Sequence, residues 1–224
     1  MLTELRAGVW WLDLGGVNAY LVDDGGALTL VDAGPPWRSG AVLDALVEAG
    51  YALGDLDRVL VTHYDADHVA GLAKLGGLAV DVYAGRADAG LVAGRESPSL
   101  DGWKGFTQAL LSPLVRGSPH EVTPLDDGDT VGSFTVYETP GHTAGHVAYV
   151  SEALDAAFLG DLVRESGGEL ASSPWFISED ADRVADSVRT LADRAPPFSV
   201  AAVGHGVPFE EGGSRRLRDL ADRL

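Results

Sequence analysis

Cysteine is absent from the 224 residues. That excludes a disulfide framework, a thiolate nucleophile and any Cys-ligated zinc or iron–sulfur site. Lysine is almost absent: Lys74 and Lys104 are the only two, and the other 14 basic residues are arginines. No apolar run approaches the ~20 residues of a membrane span. The first residues, MLTELRAGVWWLDLGG, lack the basic flank and small-residue cleavage site of a secretory signal. These absences predict a cytoplasmic protein with no membrane partner.

Acidic residues outnumber basic ones, 34 to 16, for a formal net charge of −18. At low salt such a surface repels nucleic acid and anionic membranes, so no nucleic-acid partner is expected. Many carboxylates with few lysines suit a cytoplasm at very high salt, where screening shortens to ~3 Å at 1 M. A halophilic source is the reading we favour. An acidic protein of a GC-rich genome, which favours Arg, Ala and Gly, carries the same signature. With 46% hydrophobic residues and this length, one domain over 1–224 is expected, and a sizeable core needs no staples.

The first half alternates strand-like and helix-like pieces. NAYLV at 18–22 and LTLV at 28–31 flank the turn-rich DDGG at 23–26 and read as a hairpin. Helical spacing follows at 41–49, and RVLVT at 58–62 reads as a buried strand. A helix is expected over 69–75, a strand over 80–83 and a helix over 84–93. Residues 96–121 differ, with Pro98, Pro113, Pro119, Trp103 and Phe106 around a short helical stretch at 106–111. An irregular segment of that length in a compact domain is usually functional, and a lid is expected there. Strands are predicted at 129–131, 134–139, 147–150, 156–159 and 200–203, with helices at 181–195 and 214–224. Two β-rich blocks, each followed by helices, suit two sheets packed face to face with helices outside.

Five of the six histidines lie in three short blocks: His63 and His68 in THYDADH, His142 and His146 in TPGHTAGH, and His205 in GHG. Each block follows a predicted strand, as does Asp161 after AAFLG. Polar groups at several strand ends, offered to one sheet edge, are how α/β proteins build sites. Imidazole and carboxylate are the ligands that first-row metals take where no thiolate is present. His63 and Asp65 are two apart and project to the same side of an extended strand end, whereas adjacent Asp67 and His68 diverge. One block can therefore serve two centres. The sixth histidine, His120, reads as an ordinary surface or core residue.

Taken together, His63-Tyr-Asp65-Ala-Asp67-His68, Thr139-Pro-Gly-His142-Thr-Ala-Gly-His146, Leu159-Gly-Asp161 and Gly204-His205-Gly206 resemble the motifs of the metallo-β-lactamase superfamily, in its order. The glyoxalase II-like hydrolases are the most similar subgroup. Val31-Asp32-Ala33-Gly34 resembles the family's early D-x-G turn. The resemblance implies an αββα four-layer sandwich and a one- or two-metal site in the cleft between the sheets. By position it assigns His63, Asp65 and His142 to a first ion and Asp67, His68 and His205 to a second, with Asp161 bridging. It makes Asp32 and His146 supports rather than ligands. One departure stands out. The family pattern is H-x-H-x-D-H, and Asp65 occupies the place of the second histidine. A harder, more anionic site shifts preference from zinc, the first expectation, toward iron or manganese. Alternatively, Asp65 binds no metal and one centre is weak or empty.

The resemblance implies hydrolysis by metal-activated water, with Asp67 as proton acceptor. The glyoxalase II helical domain that binds a glutathione thioester is not expected in this chain. A smaller ester, lactone or thioester is the expected substrate. The alternatives are a non-haem iron redox enzyme of the persulfide-dioxygenase type and a nuclease of the same superfamily.

Overall fold

The computed structural model describes residues 1–100 and 102–224. Asp101, within the segment expected to be a lid, lies outside the described residues. The first sheet runs in chain order: β1 (Leu2–Arg6), β2 (Val9–Asp13), β3 (Asn18–Asp24), β4 (Ala27–Val31), β5 (Leu56–Val61), β6 (Asp81–Gly85) and β7 (Val122–Leu125). The first four strands form an antiparallel meander, and β4 to β7 are parallel. Parallel neighbours require crossovers. These are α1 (Ser39–Glu48), then α2 (Ala66–Val69) running into a 3₁₀ stretch at Ala70–Leu75, then α3 (Arg86–Val92) with α4 (Gly102–Leu111).

The second sheet contains β8 (Thr130–Val131), β9 (Phe134–Glu138), β10 (Val147–Ser151), β11 (Ala156–Gly160) and, further along the chain, Val200–Val203. Between them lie a hairpin, β12 (Val163–Ser166) and β13 (Glu169–Ser172), and helix α5 (Ala181–Arg194). The Val200–Val203 strand is β14, paired parallel to β11, and α6 (Gly213–Ala221) closes the chain.

Strand alternation builds the layers. Side chains of period two face opposite sides of a sheet. On β5, Val59 and Val61 face α1 and α3, packing with Leu46 and Val92, while Leu60 faces the other sheet. On β10, Val147 and Tyr149 face Leu60 across the sandwich, and Ala148 and Val150 face Val188 of α5 and Leu217 of α6. Three apolar layers thus separate helix, sheet, sheet and helix, the four-layer αββα arrangement.

Four strands carry little sequence signal. The LTELR of β1 has one buried residue, and β7, VTPL, holds a proline tolerated because it pairs on one side only. The β12–β13 hairpin is mostly polar and half-exposed. The helix expected over 69–75 is a single α turn followed by 3₁₀ geometry, and the one expected at 106–111 begins earlier, at Gly102.

Candidate metal centre

Strand ends deliver the site. β4 runs into Asp32, β5 into Thr62–Asp65, β11 into Asp161 and β14 into His205, and His142 and His146 occupy the connection from β9 to β10. The left-handed region that disfavours side chains is used at several turns here. Gly141, φ +133°, turns the chain ahead of His142, and Asp32 itself sits at φ 58°. Gly204 serves by size: a Cβ there would collide with the Asp161 carboxylate.

The predicted residues converge in one cleft. Donor atoms of His63, His142 and Asp161 lie within 4.8 Å of one another, as do those of Asp67, His68 and His205. Asp161 spans the two groups. Its Oδ1 is 3.5 Å from His68 Nε2, and its Oδ2 is 3.6 Å from His142 Nε2 and 3.1 Å from His205 Nε2. Asp67 Oδ2 is 3.7 Å from His205 Nε2. Asp65 belongs to neither group, yet its Oδ2 is 3.5 Å from His63 Nε2 and 3.0 Å from His142 Nε2.

Each of the four imidazoles is held by Nδ1, which leaves Nε2 for the cleft. His68 Nδ1 donates to Asp32 Oδ2 at 2.9 Å, and His205 Nδ1 to the Gly16 carbonyl at 2.6 Å. The Thr62 hydroxyl gives its proton to Asp32, so it accepts from His63 Nδ1 at 2.9 Å. His142 Nδ1 meets Ser173 Oγ at 3.0 Å. His63 Nε2, His68 Nε2 and Asp161 Oδ1 are buried with no hydrogen-bond partner among the described residues. Buried polar atoms left this way are costly. Three of them around one cleft, all imidazole or carboxylate, match the donor set of a divalent cation.

His146 is differently engaged. Its Nε2 accepts the Asp161 amide at 3.1 Å and its Nδ1 meets Thr139 Oγ1 at 2.8 Å, so both ring nitrogens are occupied in positioning Asp161. Its burial, next to His63 and His142, holds it well below the usual imidazole range and therefore neutral.

Charge is unevenly distributed. Burial opposes a proton on His68, but Asp161, Asp32 and Asp67 outweigh it and its pKa is pushed up to about 10. Burial takes His142 the other way, to about 4. For Asp161, burial is overcome by His68, His205 and His142, which hold it well below the usual carboxylate range.

Several residues of the site gave no local signal. Asp88 of α3, buried at 2% exposure, accepts from the Tyr64 amide, Thr143 Oγ1 and the Gly145 amide, tying the two histidine loops together. Lys104 and Gln108, four apart on α4, reach Asp65. Lys104 Nζ bonds Asp65 Oδ2 and lies 2.9 Å from His142 Nε2, and Gln108 Nε2 donates to Asp65 Oδ1 at 2.9 Å. The scarcity of lysine was the one available hint. The segment expected to be a lid thus enters the site with a cation as well as with aromatic residues. Beside it lies a cleft of about 230 Å³ lined by Asp65, Asp67, Trp103, Lys104, Phe176 and Ile177.

Comparison with known proteins identifies the family. The family model for the metallo-beta-lactamase superfamily matches residues 12–205. The uncharacterized protein YobT of Bacillus subtilis (strain 168) is 30% identical over 92% of this chain and 90% of its own length. A hydroxyacylglutathione hydrolase of Cereibacter sphaeroides is 31% identical over 84% of this chain, which spans only 61% of that protein. Among solved structures, TTHA1623, crystallised in a di-iron-bound form, is 25% identical with a TM-score of 0.73, covering 96% of this chain and 98% of that one. Sequence match, fold and metal-ligating donors together make this chain a metal-binding hydrolase of the metallo-beta-lactamase superfamily.

Proposed function

We propose that the chain hydrolyses small esters, lactones or thioesters, using divalent metal held in the cleft, in the manner of the glyoxalase II-like branch. The convergence of the His68, His142 and His205 Nε2 atoms on Asp161, with His63 grouped beside them and each ring held through Nδ1, carries this reading. Asp67, His68 and His205 with Asp161 would hold one ion; His63 and His142 with Asp161, and Asp65 beside them, form the second set of donors. Such an ion lowers the pKa of water and polarises a carbonyl.

The chain's own groups supply the rest. Asp67, part-exposed at the cleft, accepts the proton of the attacking water. Asp32 keeps His63 and His68 in the tautomers that present Nε2. Trp103 and Phe176 form an apolar wall against which the acyl part packs. Similarity to a hydroxyacylglutathione hydrolase supports the thioester end of this range. Zinc suits the imidazoles, whereas three carboxylates in one cleft favour iron or manganese.

A panel of aryl esters, lactones and thioesters, assayed before and after chelation, tests the reading. Activity is expected to vanish on chelation and to return with zinc, manganese or iron. An unchanged rate after thorough metal removal rejects it. The di-iron form of TTHA1623 keeps a second reading in view, a non-haem iron redox enzyme. Iron in the purified protein together with dioxygen uptake on a persulfide would favour that one.

A further inference from the structure

We propose that Lys104 acts as a built-in cation that excludes a metal ion from the His63–His142 end of the cleft, so that the protein holds one divalent ion, at the Asp67–His68–His205 end. The inference rests on the metal-dependent reading above and specifies how many ions the cleft carries and why.

Lys104 is 5% exposed. A lysine is almost never buried to this degree unless paired, because the ammonium forfeits its hydration. Here its partners are Asp65 Oδ2 and His142 Nε2. His142 Nδ1 is engaged by Ser173 Oγ, so Nε2 offers a lone pair, and the ammonium takes it. A metal ion at this end needs the same lone pair. Asp65 is committed in the same way: Lys104 meets its Oδ2, and Gln108 takes its Oδ1. Both α4 donors stand one turn apart on one helix face, where residues four apart align. An ammonium and a dication sharing His142 and Asp65 would also repel each other at short range.

The other end of the cleft is free of this competition. Among the described residues no lysine or arginine bonds Asp67, His68 or His205, and Asp161 reaches His68 through Oδ1 and His205 through Oδ2. At the Lys104 end, His63 Nε2 remains buried and unpartnered, 3.5 Å from Asp65 Oδ2. Removing the ammonium therefore releases a set of donors, His63, His142, Asp65 and Asp161, able to take a second ion. The positive charge of Lys104 stands in for that ion beside the reacting centre, and it suits a carboxylate-for-histidine exchange at position 65.

Native mass spectrometry with elemental analysis, after reconstitution with excess manganese or zinc, reads the stoichiometry. The wild type is expected to retain one ion per chain, and Lys104→Met and Lys104→Gln two, with circular dichroism confirming that both variants fold. Two ions in the wild type, or one in each folded variant, overturn the proposal. No ion in any form sinks the metal-dependent reading beneath it as well. A measurement on the wild type needs no variant. The chain has only two lysines, and Lys74 is exposed. Acetylation footprinting should modify Lys74 and spare Lys104 with and without metal. If metal makes Lys104 reactive, the ion displaces it and the proposal fails.

Discussion

Asp32 links three parts of the centre. It accepts from the Thr62 amide and hydroxyl and from His68 Nδ1, and it does so from a left-handed backbone conformation. Asp32→Asn keeps the size but removes the charge that fixes His68. Such partners typically contribute 10–100-fold in metal affinity, and a loss of about that size is expected in competition with a chromophoric chelator. The histidines also set the pH response of the metal-free protein. His68, raised from 6.5 to about 10, contributes stability that is complete below about pH 6.5 and disappears as pH climbs toward 10. His142, lowered to about 4, leaves the unfolded chain the better proton acceptor between 4 and 6.5, so stability falls as pH drops through that window. Denaturation midpoints of chelated protein should peak near pH 6.5. Metal affinity should rise with pH through the upper window, because the ion displaces the His68 proton.

At the scale of elements, α4 differs most from its sequence expectation. Its Phe106 and Trp103 are exposed, as the irregular, aromatic-rich segment suggested, yet its opposite face buries Lys104 and Gln108 in the cleft. Reading hydrophobic periodicity assigns charged residues to solvent, so a helix that buries a lysine against a distant aspartate escapes it. By contrast, α5 follows its pattern closely: Val184, Val188 and Leu191 face the second sheet, and the Asp180 side chain caps the helix through the Arg183 amide at 3.0 Å. Asp180→Ala should cost about 1 kcal/mol, visible as a lower urea midpoint with metal content unchanged.

Across the whole molecule the net charge of −18 dominates. Exposed pairs such as Arg194–Asp127 at 2.7 Å neutralise part of it, and such pairs contribute little individually. Self-repulsion at such a net charge destabilises a compact fold, and it is expected to outweigh these pairs. Raising salt from 0.1 to 1 M shortens screening from about 10 Å to about 3 Å, so the melting temperature should rise over that range. A fall would show that the ion pairs matter more than the repulsion. No helix among the described residues is long and apolar enough to cross a membrane.

Local spacing was enough to locate the strand-end blocks holding His63, His68, His142, Asp161 and His205, because each strand's period and its terminating glycine or aspartate lie within a few adjacent residues. It was also enough for the layered order of sheets and helices. Which atoms share a lone pair was decided by tertiary packing alone. Lys104 meets Asp65 across 39 residues, and Asp88 joins loops 24 and 57 residues away. Contacts at that separation depend on how α3 and α4 pack against the sheets, which no short-range pattern encodes.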